Sequence, residues 1–371
     1  MVASIAITFA VLMIGLGGAI DFDWTWVDAQ VSAALDDPSI VVPTYFVEDF
    51  ISFRYLISRR FIYVNLTADD ILFVRKPLKA FSEFDWVVYP DRDPIVTVSK
   101  VDVQNPSTVL CYPTRLAAIV ERLDALPPLS EGIFRSLVIA GDDRKMSTVM
   151  DDINAIVRSR KFTGIWFAAK DVAHPHVRTA PDGFQFFYLL RAGMANVLAA
   201  AQRAADSSRP PRHLVCAAWG AVYSSLDRIV QSRKSLISYL ESNKDWVTRS
   251  HWSYTEYWEN LGNYKFMFVP EGNGVQMPKY FECWLVRTIP ITISNFVTRD
   301  LQQMGFPFVL VDSWSDISSP EHLEAIFVDI SRTIDWYNVL NLLHLRSFMH
   351  VIRSTSTITE PYDLTTNTTD K

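Results

Sequence analysis

The sequence predicts an α/β protein of two domains, each built on a mostly parallel sheet, and three observations carry that prediction. The first is the stretch from Tyr264 to Ile293. Tyr264 to Val269 is a short apolar run rich in aromatics, which suits a buried strand. Glu271-Gly272-Asn273-Gly274 is a turn whose two glycines can take backbone angles closed to other residues. Pro278 suits the first position of a helix from Lys279 to Arg287, and Thr288 to Ile293 returns as a β-branched strand. That order is a βαβ unit with its loop at the carboxyl end of a strand, where open α/β sheets bind ligands and a helix N-terminus favours phosphate. The second observation is an earlier alternation of strand (Leu137 to Ala140), helix (Met146 to Val157) and strand (Ile165 to Ala168), which argues a parallel sheet. The third is size. The 371 residues are 49% hydrophobic, enough for two cores, and the polar, proline-rich Asp206-Ser207-Ser208-Arg209-Pro210-Pro211 divides residues 44–205 from 206–353.

Taken in order, Ala3 to Ile20 is an uninterrupted apolar run. At roughly 17–25 residues for a span, it reads as a signal anchor or a cleaved signal peptide; a buried N-terminal helix is the other reading. Residues 21–43 form a polar stem with Trp24 and Trp26. Short apolar runs at Phe61 to Leu66, Ile71 to Val74, Trp86 to Tyr89, Ile95 to Val98 and Thr108 to Tyr112 are candidate strands. Thr114 to Leu126 is an amphipathic helix stopped by Pro127-Pro128. Gln185 to Ala205 reads as one long helix. Leu214 to Ala218 is a strand, followed by a loop and a helix bearing Asp227, Arg228, Arg233 and Lys234. Ser253 to Leu261 is a short aromatic helix, Pro307 to Val311 a buried strand, and Ser319-Pro320 a helix start. Trp336 to Ile352 is the last helix, and residues 354–371 are a threonine-rich tail predicted to be disordered.

The net charge of −6 and the lack of a basic stripe argue against a nucleic-acid partner. Cys111, Cys216 and Cys283 have no metal-ligand spacing; buried free thiols are expected, with one disulfide as the ceiling. Asn65-Leu66-Thr67 and Asn367-Thr368-Thr369 would accept glycans in a secretory compartment. There is no HExxH, no CxxC and no Walker phosphate loop, and Asp69-Asp70, Asp142-Asp143 and Asp151-Asp152 each read as turn or solvated helix face as readily as metal ligands.

Lys279 and Glu282 lie three residues apart at the start of the predicted helix and so share a face. Taken alone they are a surface ion pair; beside the glycine turn they suggest a cation for a diphosphate and a carboxylate for a ribose. The elements Gly272-Asn273-Gly274, Lys279-Tyr280-Phe281-Glu282 and Ile289-Pro290-Ile291 resemble the donor-binding half of exostosin-like glycosyltransferases and related GT-B enzymes, in which the basic position is usually Arg. Trp166-Phe167-Ala168, His174-Pro175 and Pro181-Asp182-Gly183 resemble, more loosely, the close of the family's amino-terminal domain, with Lys170-Asp171 where the family has Asn. The likeness spans about Gly164 to Trp314.

The resemblance implies a GT-B-like fold of two Rossmann-like domains facing a cleft, behind an N-terminal apolar segment. It implies transfer of a sugar from a nucleotide-sugar donor to a hydroxyl acceptor on a glycan or glycoprotein, with no resident cofactor and no metal. The donor site would be Arg228 (Arg233 the runner-up), Gly272, Asn273, Gly274, Lys279 and Glu282, and Tyr264 and Trp314 would line the base pocket or pack. A general base would come from Asp91, Asp93 or His174, with Asp142 behind the histidine. The family also implies a terminal helix that packs back across the domain interface. The expected setting is a Golgi or endoplasmic reticulum membrane, single-pass with a luminal catalytic domain, or secretion. The alternative function is a catalytically weak carbohydrate- or nucleotide-binding relative that acts by interaction.

Overall fold

The computed structural model describes residues 84–88, 96–97, 105–129, 134–141, 143–184, 189, 192–206, 208, 210–219, 227–272, 274–343 and 345–354. The apolar run Ala3 to Ile20, the stem, the first two candidate strands, both glycan-acceptor triplets and the tail lie outside these residues. Among the described residues no helix is long and apolar enough to cross a membrane.

The described chain is α/β with two sheets of mainly parallel strands. The first sheet contains β1 (Trp86–Val88), β2 (Val96–Thr97), β3 (Thr108–Cys111), β4 (Ser136–Ile139), β5 (Gly164–Phe167) and β6 (Arg178–Thr179), in spatial order β2-β1-β3-β4-β5-β6. Only β2 runs antiparallel, as the edge partner of β1. β3, β4 and β5 are buried along their whole length, as strands covered on both faces must be. The helix predicted over Thr114 to Leu126 is interrupted: 3₁₀ turns at Pro113–Arg115 and Leu123–Ala125 flank a short α1 (Leu116–Val120). A 3₁₀ turn at Met146–Val149 leads into α2 (Met150–Ser159), which buries Ile153 and Ile156.

The second sheet contains β7 (His213–Ala217), β8 (Thr248–Arg249), β9 (Tyr264–Phe268), β10 (Ile289–Ile293) and β11 (Val309–Val311), all parallel, in the order β11-β10-β9-β7-β8. Counted within the lobe that order is 2-1-3-4-5, a doubly wound sheet whose topological switch point falls between its first and third strands, β7 and β9. Its helices are α3 (Met194–Ala205), α4 (Asp227–Ser242), α5 (Tyr254–Leu261), α6 (Pro278–Leu285), α7 (Phe296–Gln303), α8 (Pro320–Ser331) and α9 (Trp336–Leu342). The last described element is α10 (Leu345–Ser354).

Two further predicted helices differ from expectation. The long helix over Gln185 to Ala205 is described as α3 from Met194 onward, preceded by Gly193 at φ 82°, a left-handed angle that glycine adopts without strain and that ends helical continuity. Its Val197 and Ala200 join the same core as Trp258, Leu261 and Trp284, so this helix belongs to the second lobe's packing although it precedes the polar linker. The helix over Trp336 to Ile352 is two, α9 and α10. The second crosses back to the first lobe, where Phe348 meets Trp166 edge-on at 5.3 Å and the Ser136 hydroxyl donates to the Ile352 carbonyl at 2.5 Å.

Candidate functional site

The lobes meet at the carboxyl ends of their strands. From the second lobe comes the segment after β9, residues 269–277. From the first lobe come the segments after β4, β5 and β6. Gln276 is the centre of this seam and is buried. Its Nε2 donates to the carbonyls of Ala168 and Ala180, and its Oε1 accepts from the amide of Asp182. Both of its N–H donors and its oxygen are therefore engaged by first-lobe backbone. Beside it, Lys170 donates to Asp300 of α7 at 2.8 Å, and the same carboxylate oxygen accepts from the Thr179 hydroxyl. Lys170, expected near the family's asparagine position, is thus a strut between lobes. Its neighbour Asp171 accepts from the amide and hydroxyl of Ser147.

Gly272 and Gly274 are needed for a reason the sequence did not reveal. Neither has a positive φ; what each requires is close approach. A Cβ on Gly272 would lie 2.6 Å from Met277 Sδ, and one on Gly274 would lie 2.6 Å from Asp143 Oδ1 of the other lobe. The turn is a contact surface: the glycines leave room for a thioether at Gly272 and for a carboxylate of the other lobe at Gly274, both side-chain ends that a larger residue would displace. Asn273 lies outside the described residues.

The helix that follows, α6, starts at Pro278, which has no N–H, with Met277 as an N-cap that supplies no side-chain hydrogen bond; the Tyr280 amide donates to the Met277 carbonyl at 3.0 Å. One turn in, Glu282 has a side chain only 2% exposed, and Lys279 Nζ stands 3.6 Å from Glu282 Oε2. The ammonium also lies 4.0 Å from the centre of the Tyr257 ring on α5, a cation–π contact. Glu282 Oε1 is buried and accepts no hydrogen bond among the described residues. The Tyr257 hydroxyl donates to Met267 Sδ at 3.7 Å; burial first, then the Glu282 charge, pushes its pKa well above the phenol value. Cys216 and Cys283, both buried free thiols like Cys111, line the same wall, and burial raises the pKa of each despite the opposing pull of the Lys279 charge. These thiols are therefore inert packing groups.

Arg233, the runner-up, is the arginine brought to the loop: its Nε donates to the Glu271 carbonyl at 3.1 Å. Arg228 lies on the same helix, five residues earlier and so about 140° round the axis; its side chain is outside the described set. Asp91, Asp93 and Asp142 also lie outside it. His174 pairs with Asn154 Oδ1 at 3.4 Å and accepts from the His176 amide at 3.1 Å. Its pKa is lowered, chiefly by burial and then by His176 and Lys170. Among the described residues its hydrogen bonds and ring contacts are with Asn154 and His176, not with the glycine turn. Tyr264 and Trp314 are core residues: Tyr264 lies against His213 and Trp252, and Trp314 meets Phe268 edge-on.

Sequence reasoning missed Gln276 and Asp300. A glutamine two residues past a glycine carries no motif signal, and Asp300 shows its role only once α7 is seen to face β6. No protein-family model matches this chain, and no curated protein matches it as a relative.

Proposed function

We propose that the protein binds a nucleotide sugar at the carboxyl end of β9 and transfers the sugar to a hydroxyl acceptor, as a GT-B-like glycosyltransferase. The observation that carries this reading is the position of the glycine turn: it follows β9, one of the two strands flanking the second sheet's switch point, and faces the other lobe. In doubly wound sheets that crevice is the ligand site. The amino end of α6 would receive the diphosphate, with Lys279 and Arg233 supplying cations as leaving-group charge develops. The unpaired oxygen of Glu282 would accept ribose hydroxyls. The returning helix α10 is consistent with the same reading, which also carries the expected Golgi or endoplasmic reticulum setting and the glycan or glycoprotein acceptor.

One observation favours the alternative, a nucleotide- or carbohydrate-binding relative with little turnover. The turn is pressed against Asp143, and Gln276 is fully engaged with the first lobe, so a donor must part these contacts to enter. Incubation of purified protein with a panel of nucleotide sugars separates the two. Release of nucleoside diphosphate that is lost in Lys279→Ala supports transfer; saturable binding with no release supports the relative.

A further inference from the structure

A polar cavity lies at the end of the second sheet opposite the glycine turn. Its volume is about 340 Å³, and its wall includes Arg203 near the end of α3, Arg212 just before β7, and Glu259 and Asn263 at the end of α5 and just before β9. Because the strands are parallel, residues preceding β7 and β9 mark the amino edge, the far side of the sheet from the glycine turn. The volume falls in the range of small-molecule sites, about 300–1,000 Å³.

The chemistry of the wall is specific. Arg203 and Arg212 are exposed, and neither guanidinium has an ion-pair or hydrogen-bond partner among the described residues. The Glu259 carboxylate is likewise unpaired, although it lines the same cavity. Asn263 uses its Nδ2 on the Glu259 carbonyl at 3.4 Å, which leaves its Oδ1 as an acceptor. Two guanidiniums in one concavity suit a tetrahedral dianion, which planar N–H forks bind in pairs. A carboxylate and an amide oxygen beside them suit hydroxyl donors. This local excess of positive charge stands in a chain of net charge −6, so it is not a product of general basicity. The floor is closed by Gly262, where a Cβ would come within 3.4 Å of Val286 and 3.6 Å of Ala204, and by the buried Trp258.

We propose that this cavity binds a small phosphorylated polyol: Arg203 and Arg212 hold the phosphate, and Glu259 and Asn263 accept from the hydroxyls. The inference is independent of the glycosyltransferase reading, since it uses none of the residues at the glycine turn.

The test is calorimetric titration of the full chain with glucose 6-phosphate, glucose and inorganic phosphate. The expected result is saturable binding of glucose 6-phosphate, weaker binding of phosphate and none of glucose. Arg203→Ala and Arg212→Ala should each weaken glucose 6-phosphate by about tenfold or more, the loss expected for a charge-assisted hydrogen bond. Both arginines are exposed, so melting curves of the variants should match the parent and exclude misfolding as the cause. Lys279→Ala should leave this binding unchanged, which separates this cavity from the ligand site proposed at the glycine turn. Absence of binding, binding indifferent to both arginines, or phosphate binding as tightly as its sugar ester would overturn the proposal.

Discussion

Two lysine–carboxylate pairs sit within the same interlobe region and do different work. Lys170 and Asp300 come from different lobes, approach to 2.8 Å, and the carboxylate is shared with Thr179. Lys279 and Glu282 come from one helical turn and stand 3.6 Å apart, with one carboxylate oxygen buried and unbonded. A buried ion pair is worth keeping when its geometry is close and its remaining valences are filled. By that measure the first pair is a finished joint. The second has capacity left over, and its ammonium is held by an aromatic face as much as by its carboxylate. If the helical pair is the proposed ligand site, substitutions in the seam should cost stability, and substitutions in the helical pair should cost binding.

The largest effect should come from Gln276→Ala. It removes two hydrogen bonds to first-lobe carbonyls and one from a first-lobe amide, and at about 1 kcal/mol for each the loss is about 3 kcal/mol. Urea denaturation measures it, and a loss below about 1 kcal/mol would mean that the seam is not what joins the lobes. Asp300→Asn keeps the shape but strands the Lys170 charge. Allowing for partial exposure of the carboxylate, a loss of about 2 kcal/mol is expected, readable as a lower denaturation midpoint with no change in ligand affinity.

The third effect has the opposite sign. Arg287 ends α6 at φ 58°, with its amide bonded to Trp284 and the Thr288 amide to Cys283, the arrangement in which glycine is preferred. Arg287→Gly should raise stability by up to about 1 kcal/mol, a sharp test because it lies on the same helix as Lys279 and Glu282 but at the other end. The smallest effect concerns His174. Its folded pKa lies below its unfolded value, so the folded state resists protonation. Its contribution is therefore neutral above the unfolded pKa, near 6.5, and turns unfavourable as pH falls from there toward the folded pKa. His174→Gln should flatten that part of the stability–pH curve.

Much of the second lobe was legible in the sequence. The run Tyr264 to Phe268, Pro278 at the helix start and the β-branched Ile289 to Ile293 are local signals of strand, helix and strand, and each element stands within a residue or two of its expected place. The sharing of a face by Lys279 and Glu282 followed from helical spacing alone. What stayed hidden depends on contacts distant in sequence. The close contact at Gly274 comes from Asp143, some 130 residues earlier, and the roles of Gln276, Lys170 and Asp300 exist only across the seam. The strands Arg178–Thr179 and Thr248–Arg249 are two residues long, too short for any periodicity. The break before Met194 turns on the conformation of one glycine in an alanine-rich run.

The central claim is that the turn after β9 and the first turn of α6 hold a nucleoside diphosphate. Thermal denaturation across uridine, guanosine and cytidine diphosphates tests it most directly, because only a ligand that favours the native state raises the midpoint. The expected result is a rise with one of the three that disappears in Lys279→Ala and in Glu282→Gln, with the ligand-free melting curves of both variants checking that they fold. No rise with any of them, or a rise that survives both substitutions, would contradict it.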